Sequence, residues 1–408
     1  MAIIRPFQAL RPLPAQAASV SAVPYDVVNA EEARAFAAGN ALSFLHVSRA
    51  EIDLPAETDP YSDTVYNQAL ENFRRLRAAA PLIVEDTAAV YFYRLRMGGH
   101  QQTGLAACYS IDEYEGNLIK KHERTRRDKE DDRTRHISTL RAQTGPVFLI
   151  YRASSAIDSV AARVTAAEPL FDFEAVDRVR HTMWRVTGAD LHALIKGFGA
   201  LPCLYIADGH HRAASAARTR KFLARQEPGL AHEEAAWMYA VAFPDAQTRI
   251  LPYNRVVKDL AGHTPNTLLS ELAARGLLHG AGTPAPSRKG EVSMYLGGLW
   301  HALRVQGRPG ATDIGGTLDV SLLQEQVLMP LLKIGDPRTD KRIDFVGGIR
   351  GTGELEKLAN SGKAAVAFSL FPVGTDDLMR IADAGEIMPP KSTWFEPKLR
   401  DGLLSHLI

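Results

Sequence analysis

Apolar and polar positions along this chain switch repeatedly between a period of two and a period near four, so strands and helices alternate. "AVYFYRLRM" (89–97) and "TGLAACYSI" (103–111) alternate on either side of Gly98-Gly99, which predicts a β-hairpin. "GPVFLIYRA" (145–153), "LPCLYIADG" (201–209) and "AAWMYAVAFP" (235–244) are nearly continuous apolar runs bounded by Gly or Pro, the form of buried strands. Helices are predicted from Glu31 to about Ala38 with Asn29 as N-cap, over 63–80 ended by Pro81, and over 210–225. "VSAVPYDVV" (20–28) reads as an extended segment broken by Pro24. Beyond the Gly/Pro-rich "HGAGTPAPSRKG" (279–290) come the strand-like "VSMYLGG", a helix over 319–333, "AVAFSLFPV" (365–373) and a helix over 375–384. With no internal repeat, the order predicts a mixed α/β fold, with one domain over 1–254 and a C-terminal α/β lobe over 255–408.

Charge removes whole classes of partner. The 48 Lys and Arg against 47 Asp and Glu give a net +1, without the basic footprint of a nucleic-acid or anionic-membrane binder. No run approaches the roughly twenty apolar residues of a membrane span, and "MAIIRPFQALRPLP" lacks the apolar core of a secretory signal. Cys108 and Cys203 lie in apolar strand patterns and are too few for a disulfide framework or a thiolate metal cage, which fits a cytoplasmic protein.

The candidate chemistry gathers at one junction. In "LYIADGHHRAASAARTRKFLAR" (204–225) a strand empties into a helix at Gly209, where free N–H groups and the positive end of the helix dipole suit an anion such as phosphate. His210 and His211 would add donors, Arg212 a planar cation, and Asp208 a Mg²⁺ ligand or a group that orients a histidine. The plainer alternative is that Asp208 caps the helix and the histidines sit on its solvated first turn. Adjacent histidines point about 100° apart on a helix, which argues against a shared zinc. His122-Glu123 is followed by Arg126 where a second zinc ligand would fall, and no Walker or Rossmann glycine loop is present.

"KKHERTRRDKEDDRTRH" (120–136) carries both charge signs too densely for one amphipathic face. It is either a solvated helix with internal pairs such as Glu130–Thr134 and Asp131–Arg135, or a site in which His122 donates and Glu123 acts as base while Lys120, Lys129 and Arg133 stabilise phosphate charge. Asp26 in "VPYDVV" has two equal readings, a turn residue with Asn29 or a second candidate base. Lys391, beside Trp394 and Phe395, lies in a segment that docks the tail, with a substrate-facing role as the alternative.

Taken together, "VPYDVV" (23–28), the charged run 120–136, "GPVFLIY" (145–151), "IADGHHR" (206–212) and "MPPKSTWFEPKL" (388–399) resemble the bacterial and archaeal family catalogued as domain of unknown function 1015, over nearly the whole chain. "DGHHR" also resembles the phosphate-binding turn of ParB and sulfiredoxin-like proteins, a group that includes free-serine kinases. The resemblance implies a ParB-like core with an insertion at about 50–195, and residues 20–40 completing the site. Asn254-Arg255 stands where the family suggests a His-Arg pair. The function this implies is a kinase using ATP or ADP with Mg²⁺, phosphorylating a small hydroxyl metabolite such as serine. Its catalytic residues would be Asp26, His122 and Glu123. Asp208, Gly209, His210, His211, Arg212, Lys129 and Arg133 would hold the nucleotide. A phosphatase or nucleotide hydrolase on the same site, a nucleotide-switched DNA-binding protein, and a purely structural role are the alternatives.

Overall fold

The computed structural model describes residues 2–79, 82–228, 233–307 and 314–408; Pro81, the expected stop of one helix, lies outside them. The chain is mixed α/β, as expected, and forms two compact units. One runs to Thr248 and takes back Pro397–Ile408; the other is Arg249–Glu396. The division thus falls a few residues before 254, and the last residues leave the C-terminal lobe. Backbone pairing holds them in the first unit: Ala22 exchanges hydrogen bonds with Asp401, Leu10 with Ser405, and His406–Leu407 pairs with Ala142–Gln143.

In the first unit β1 (Ile4–Arg5), β2 (Val90–Met97), β3 (His100–Ser110), β4 (Ile119–Lys120), β5 (Val147–Tyr151), β6 (Phe171–Glu174), β7 (Val179–Val186), β8 (Leu204–Asp208) and β9 (Trp237–Pro244) form one sheet. Its order is β4-β8-β5-β9-β3-β2-β7-β6, with β1 beside β3. The hairpin β2–β3 closes with Met97 opposite His100, around the two glycines. Strands β5 and β9 are parallel neighbours buried through their length, which is why they read as continuous apolar runs rather than alternating ones. β8 runs parallel to β4 and antiparallel to β5. The ends of β4 and β8 and the beginning of β5 therefore meet at one edge of the sheet.

Four helices frame that edge: α1 (Ala30–Ala37), α2 (Asp63–Ala79), α3 (Arg127–Leu140) and α4 (His210–Gln226). Asn29 caps α1 in a reciprocal box with Glu32. The charged run becomes α3 only from Arg127 onward, leaving His122 and Glu123 in the loop before it, and α3 is not a free-standing solvated helix, because it packs along α4. Glu130 and Asp131 both pair with Arg218 of α4, and Arg135 pairs with Asp63 of α2, so the internal pairs expected of these residues give way to partners on other helices. The segment 20–28 is not extended. Ala17–Val20 is a helical turn, and the Val27 N–H donates to the Pro24 carbonyl at 3.2 Å, which turns Asp26 aside.

The second unit is a six-stranded antiparallel sheet in the order Leu278–Ala281, Leu299–Arg304, Glu291–Leu296, Val366–Leu370, Tyr253–Val257, Ile343–Gly347. The helix expected over 319–333 is shorter: Asp319–Leu323 runs into a wider π-type turn at Gln324–Leu328. Met329 keeps helical backbone at φ −73° and ψ −53°, and Pro330, which has no N–H to donate, follows it where the run ends. Trp394–Glu396 pairs with Arg249–Leu251, so the aromatic pair does dock its segment.

Candidate functional site

A bulge in β8 between Ile206 and Asp208 re-aims the strand end, and Gly209 then takes φ 91° and ψ 31°, a left-handed conformation, as the N-cap of α4. No side chain caps that helix, so the sequence alternative of Asp208 as its cap is not realised. A Cβ on Gly209 would lie 2.9 Å from Nε of Arg212. Gly209→Ala is therefore expected to cost about 1–3 kcal/mol through backbone strain and to displace the guanidinium; urea unfolding checks it, and an unchanged midpoint would refute the close fit.

Arg212 is the hub. Its side chain is 7 % exposed; one terminal nitrogen donates to the Pro146 carbonyl at the start of β5, and the other lies 3.7 Å from both Asp26 and Asp208. Lys398, from the returning C-terminal segment, donates to Asp208 Oδ2 at 3.0 Å. Burial alone would raise the Asp208 carboxyl, but Lys398 and Arg212 hold it well below the usual carboxylate range. Asp401 stands close by: a Cβ on Gly145 would lie 3.1 Å from its Oδ1, a distance glycine leaves open. Burial pushes the Asp401 carboxyl up to about 7 against the lowering effect of Arg212.

The histidines form a second group. The rings of His122 and His210 meet edge to face, with centroids 4.5 Å apart, and the His122 N–H is 3.5 Å from His210 Nε2. Burial pushes His122 down to about 4 and His210 well below its ordinary value. Burial also lowers His211, whose Nε2 accepts from the Arg126 N–H at 3.0 Å. Burial thus disfavours the charged form of these imidazoles, and the fixed positive charges at the turn are Arg212 and Lys398. Glu123 reaches in from the other side, its Oε2 3.8 Å from His210 Nδ1 and its side chain 41 % exposed.

Beside this turn lies a cleft of about 240 Å³, lined among others by Tyr25, Tyr61, Lys129, Asp132, Arg133 and His136. Arg133 binds Asp132 through two nitrogens at 2.8 and 3.1 Å and lies 4.2 Å from the Tyr25 ring centre. Lys129 donates to the Tyr61 hydroxyl at 2.8 Å, so it faces the cleft rather than the turn. Because Tyr25 packs on Arg133 while Asp26, the next residue, faces Arg212, cleft and turn are neighbours. Lys120 is half-buried on β4, whereas Arg255 and Lys391 belong to the second unit.

Asp208, the one carboxylate expected to hold Mg²⁺, is engaged by two cations, an ammonium and a guanidinium. Among the described residues no group of three or more His, Cys, Asp or Glu could hold a metal. Three participants were missed from sequence: Tyr25, Lys398 and Asp401. Tyr25 and Lys398 lie inside stretches singled out above, "VPYDVV" and "MPPKSTWFEPKL", but nothing local distinguishes Lys398 from Lys391. Asp401 carried no signal at all.

Comparison with solved structures finds similar folds at low scores. A free serine kinase in complex with AMP is 14 % identical with a TM-score of 0.36, covering 73 % of this chain and 91 % of that one; a mutant free serine kinase in complex with ADP is 14 % identical at 0.35, covering 73 % and 92 %. A conserved hypothetical protein from Pyrococcus furiosus is 16 % identical at TM-score 0.35, covering 73 % and 94 %. No curated protein matches. No helix among the described residues is long and apolar enough to cross a membrane. The family model described as protein of unknown function (DUF1015) matches residues 4–321, and the chain belongs to that family.

Proposed function

We propose that this protein is a nucleotide-dependent kinase of a small hydroxyl metabolite, with ATP or ADP as donor and serine among the acceptors to test. One observation carries the reading: the uncapped start of a 17-residue helix opens between two cations, Arg212 and Lys398, and an accessible carboxylate, Glu123, held beside a neutral histidine. The N–H groups of that first turn receive the transferring phosphate. Arg212 and Lys398, drawn together by Asp208, spread the charge that develops as the donor's phosphorus–oxygen bond breaks and the acceptor oxygen bonds to phosphorus. Glu123 takes the hydroxyl proton. Asp26 is the poorer candidate base because its carboxylate is engaged by Arg212, 3.7 Å away. His122 and His210, both neutral, donate or accept without adding repulsion.

The cleft favours a kinase over a hydrolase. Its 240 Å³ beside the turn offer an acceptor with a polar body a place that a single water would not need. A net charge of +1 speaks against the DNA-binding alternative. Such a kinase belongs in the cytoplasm, where its nucleotide is abundant. The expected result is a rise in melting temperature with ATP or ADP, tested with and without Mg²⁺, followed by phosphoserine formation seen by ³¹P NMR. Glu123→Gln is expected to lower kcat about 10²–10⁴-fold while nucleotide binding persists. No shift with any nucleotide, or full activity in that variant, would sink the proposal.

A further inference from the structure

The second unit contains a cavity of about 170 Å³ with its own buried cation. Arg255, on the strand Tyr253–Val257, is 3 % exposed and lines it. Its guanidinium donates to two main-chain carbonyls, those of Tyr253 and Lys391, the latter at 3.0 Å, and lies 5.4 Å from the Phe345 ring centre. Among the described residues no carboxylate pairs with it. An isolated charge in such a place is costly, and the cost shows: burial pushes Arg255 down to about 9, opposed only in part by the Tyr253 hydroxyl. A second, independent feature opens on the same space. Gly374, which lines the cavity, is the N-cap of the helix Thr375–Asp383, and no side chain caps that helix.

The rest of the wall limits what can bind. Leu318, Leu370, Phe371 and Val373 are apolar. Asp319 is engaged by the Gly290 N–H at 2.9 Å, and Asp377 by the Lys289 ammonium at 3.1 Å. Those two carboxylates would repel a doubly charged phosphate, whereas a single carboxylate matches the donors that Arg255 has left after its two carbonyls. At about 30 Å³ per water the space is roughly six waters, the size of a short-chain acid.

We propose that this cavity binds a small carboxylate with a short apolar body, its carboxylate on Arg255 and its tail against Leu370, Phe371 and Val373. The site is separate from the kinase reading and does not depend on it.

The test uses calorimetric titration of the full chain with 4-methylpentanoate, its neutral amide and inorganic phosphate. The acid is expected to bind saturably, the amide and phosphate at least tenfold more weakly, and Arg255→Gln to weaken the acid tenfold or more while the nucleotide shift of the first unit is kept. Circular dichroism checks that this variant folds; should it not, Val373→Trp, which fills the cavity from its wall, must abolish binding of the acid. Failure of the acid to bind the unaltered chain, equal binding of the amide, tighter binding of phosphate, or unweakened binding in a folded variant would each overturn the proposal.

Discussion

Arg212→Ala is expected to destabilise the first unit by about 3–5 kcal/mol, the scale set by removing one partner of a buried ionic cluster. Asp26 and Asp208 each lie 3.7 Å from this guanidinium, and Asp401 is buried within its influence. Truncation leaves those carboxylates facing one another, and it also deprives the Pro146 carbonyl of its donor. A second substitution should reveal the coupling: Arg212→Ala with Asp208→Asn is expected to recover at least about 1 kcal/mol relative to the sum of the separate changes, as contacting residues do. Lys398 would keep its place less firmly in that double variant, so recovery stays partial. Urea unfolding monitored by circular dichroism measures both. A cost under about 1 kcal/mol for the alanine variant, or strict additivity, would show that the cluster is not held by charge. The same variant is expected to lose any nucleotide-dependent shift, which a measurement at a temperature where it remains folded separates from simple unfolding.

Acid is expected to unfold the first unit well before its carboxylates are all protonated. His122 and His136 are buried and both are pushed from 6.5 down to about 4, His122 by desolvation and His136 by desolvation and the Arg133 charge. The unfolded chain therefore takes up protons first as pH falls. The stability these residues contribute is fully present above the unfolded value of 6.5 and drains away as pH approaches 4, by about 3 kcal/mol for each residue. His136 Nε2 donates to the Val47 carbonyl, 3.0 Å away, and so ties α3 to the segment before α2. Asp401 works in the opposite sense: raised to about 7, its buried carboxyl costs stability as pH rises from 3.8 and is relieved in acid. Asp401→Asn removes that offset, so its stability should fall more steeply than that of the unaltered chain between pH 7 and 4. Denaturant midpoints across that range decide; a flat profile in the asparagine variant would mean that the imidazoles are not buried neutral.

Most of the local structure and one corner of the site are written in the order of residues. The runs at 145–153, 201–209 and 235–244 became β5, β8 and β9 because continuous apolar stretches have only a sheet interior to occupy. Asn29 and Glu32 wrote the start of α1 in four residues, and the step from Asp208 through Gly209 into α4 was legible because left-handed backbone and a helix start both leave local marks. The charged run was legible as a helix but not as a partner, since which carboxylate meets which arginine depends on the helix opposite. Everything that depends on distance in space was left to the folding of the whole chain. Folding set His122 against His210 across 88 residues and Lys398 against Asp208 across 190. It chose Lys398 over Lys391 for the turn, although both lie in one matching stretch. It also settled the state of the histidines, because composition shows that an imidazole is present whereas only burial disfavours its charged form. The physical reason is common to all of these: backbone preference acts within a few residues, while ion pairing and desolvation act through space.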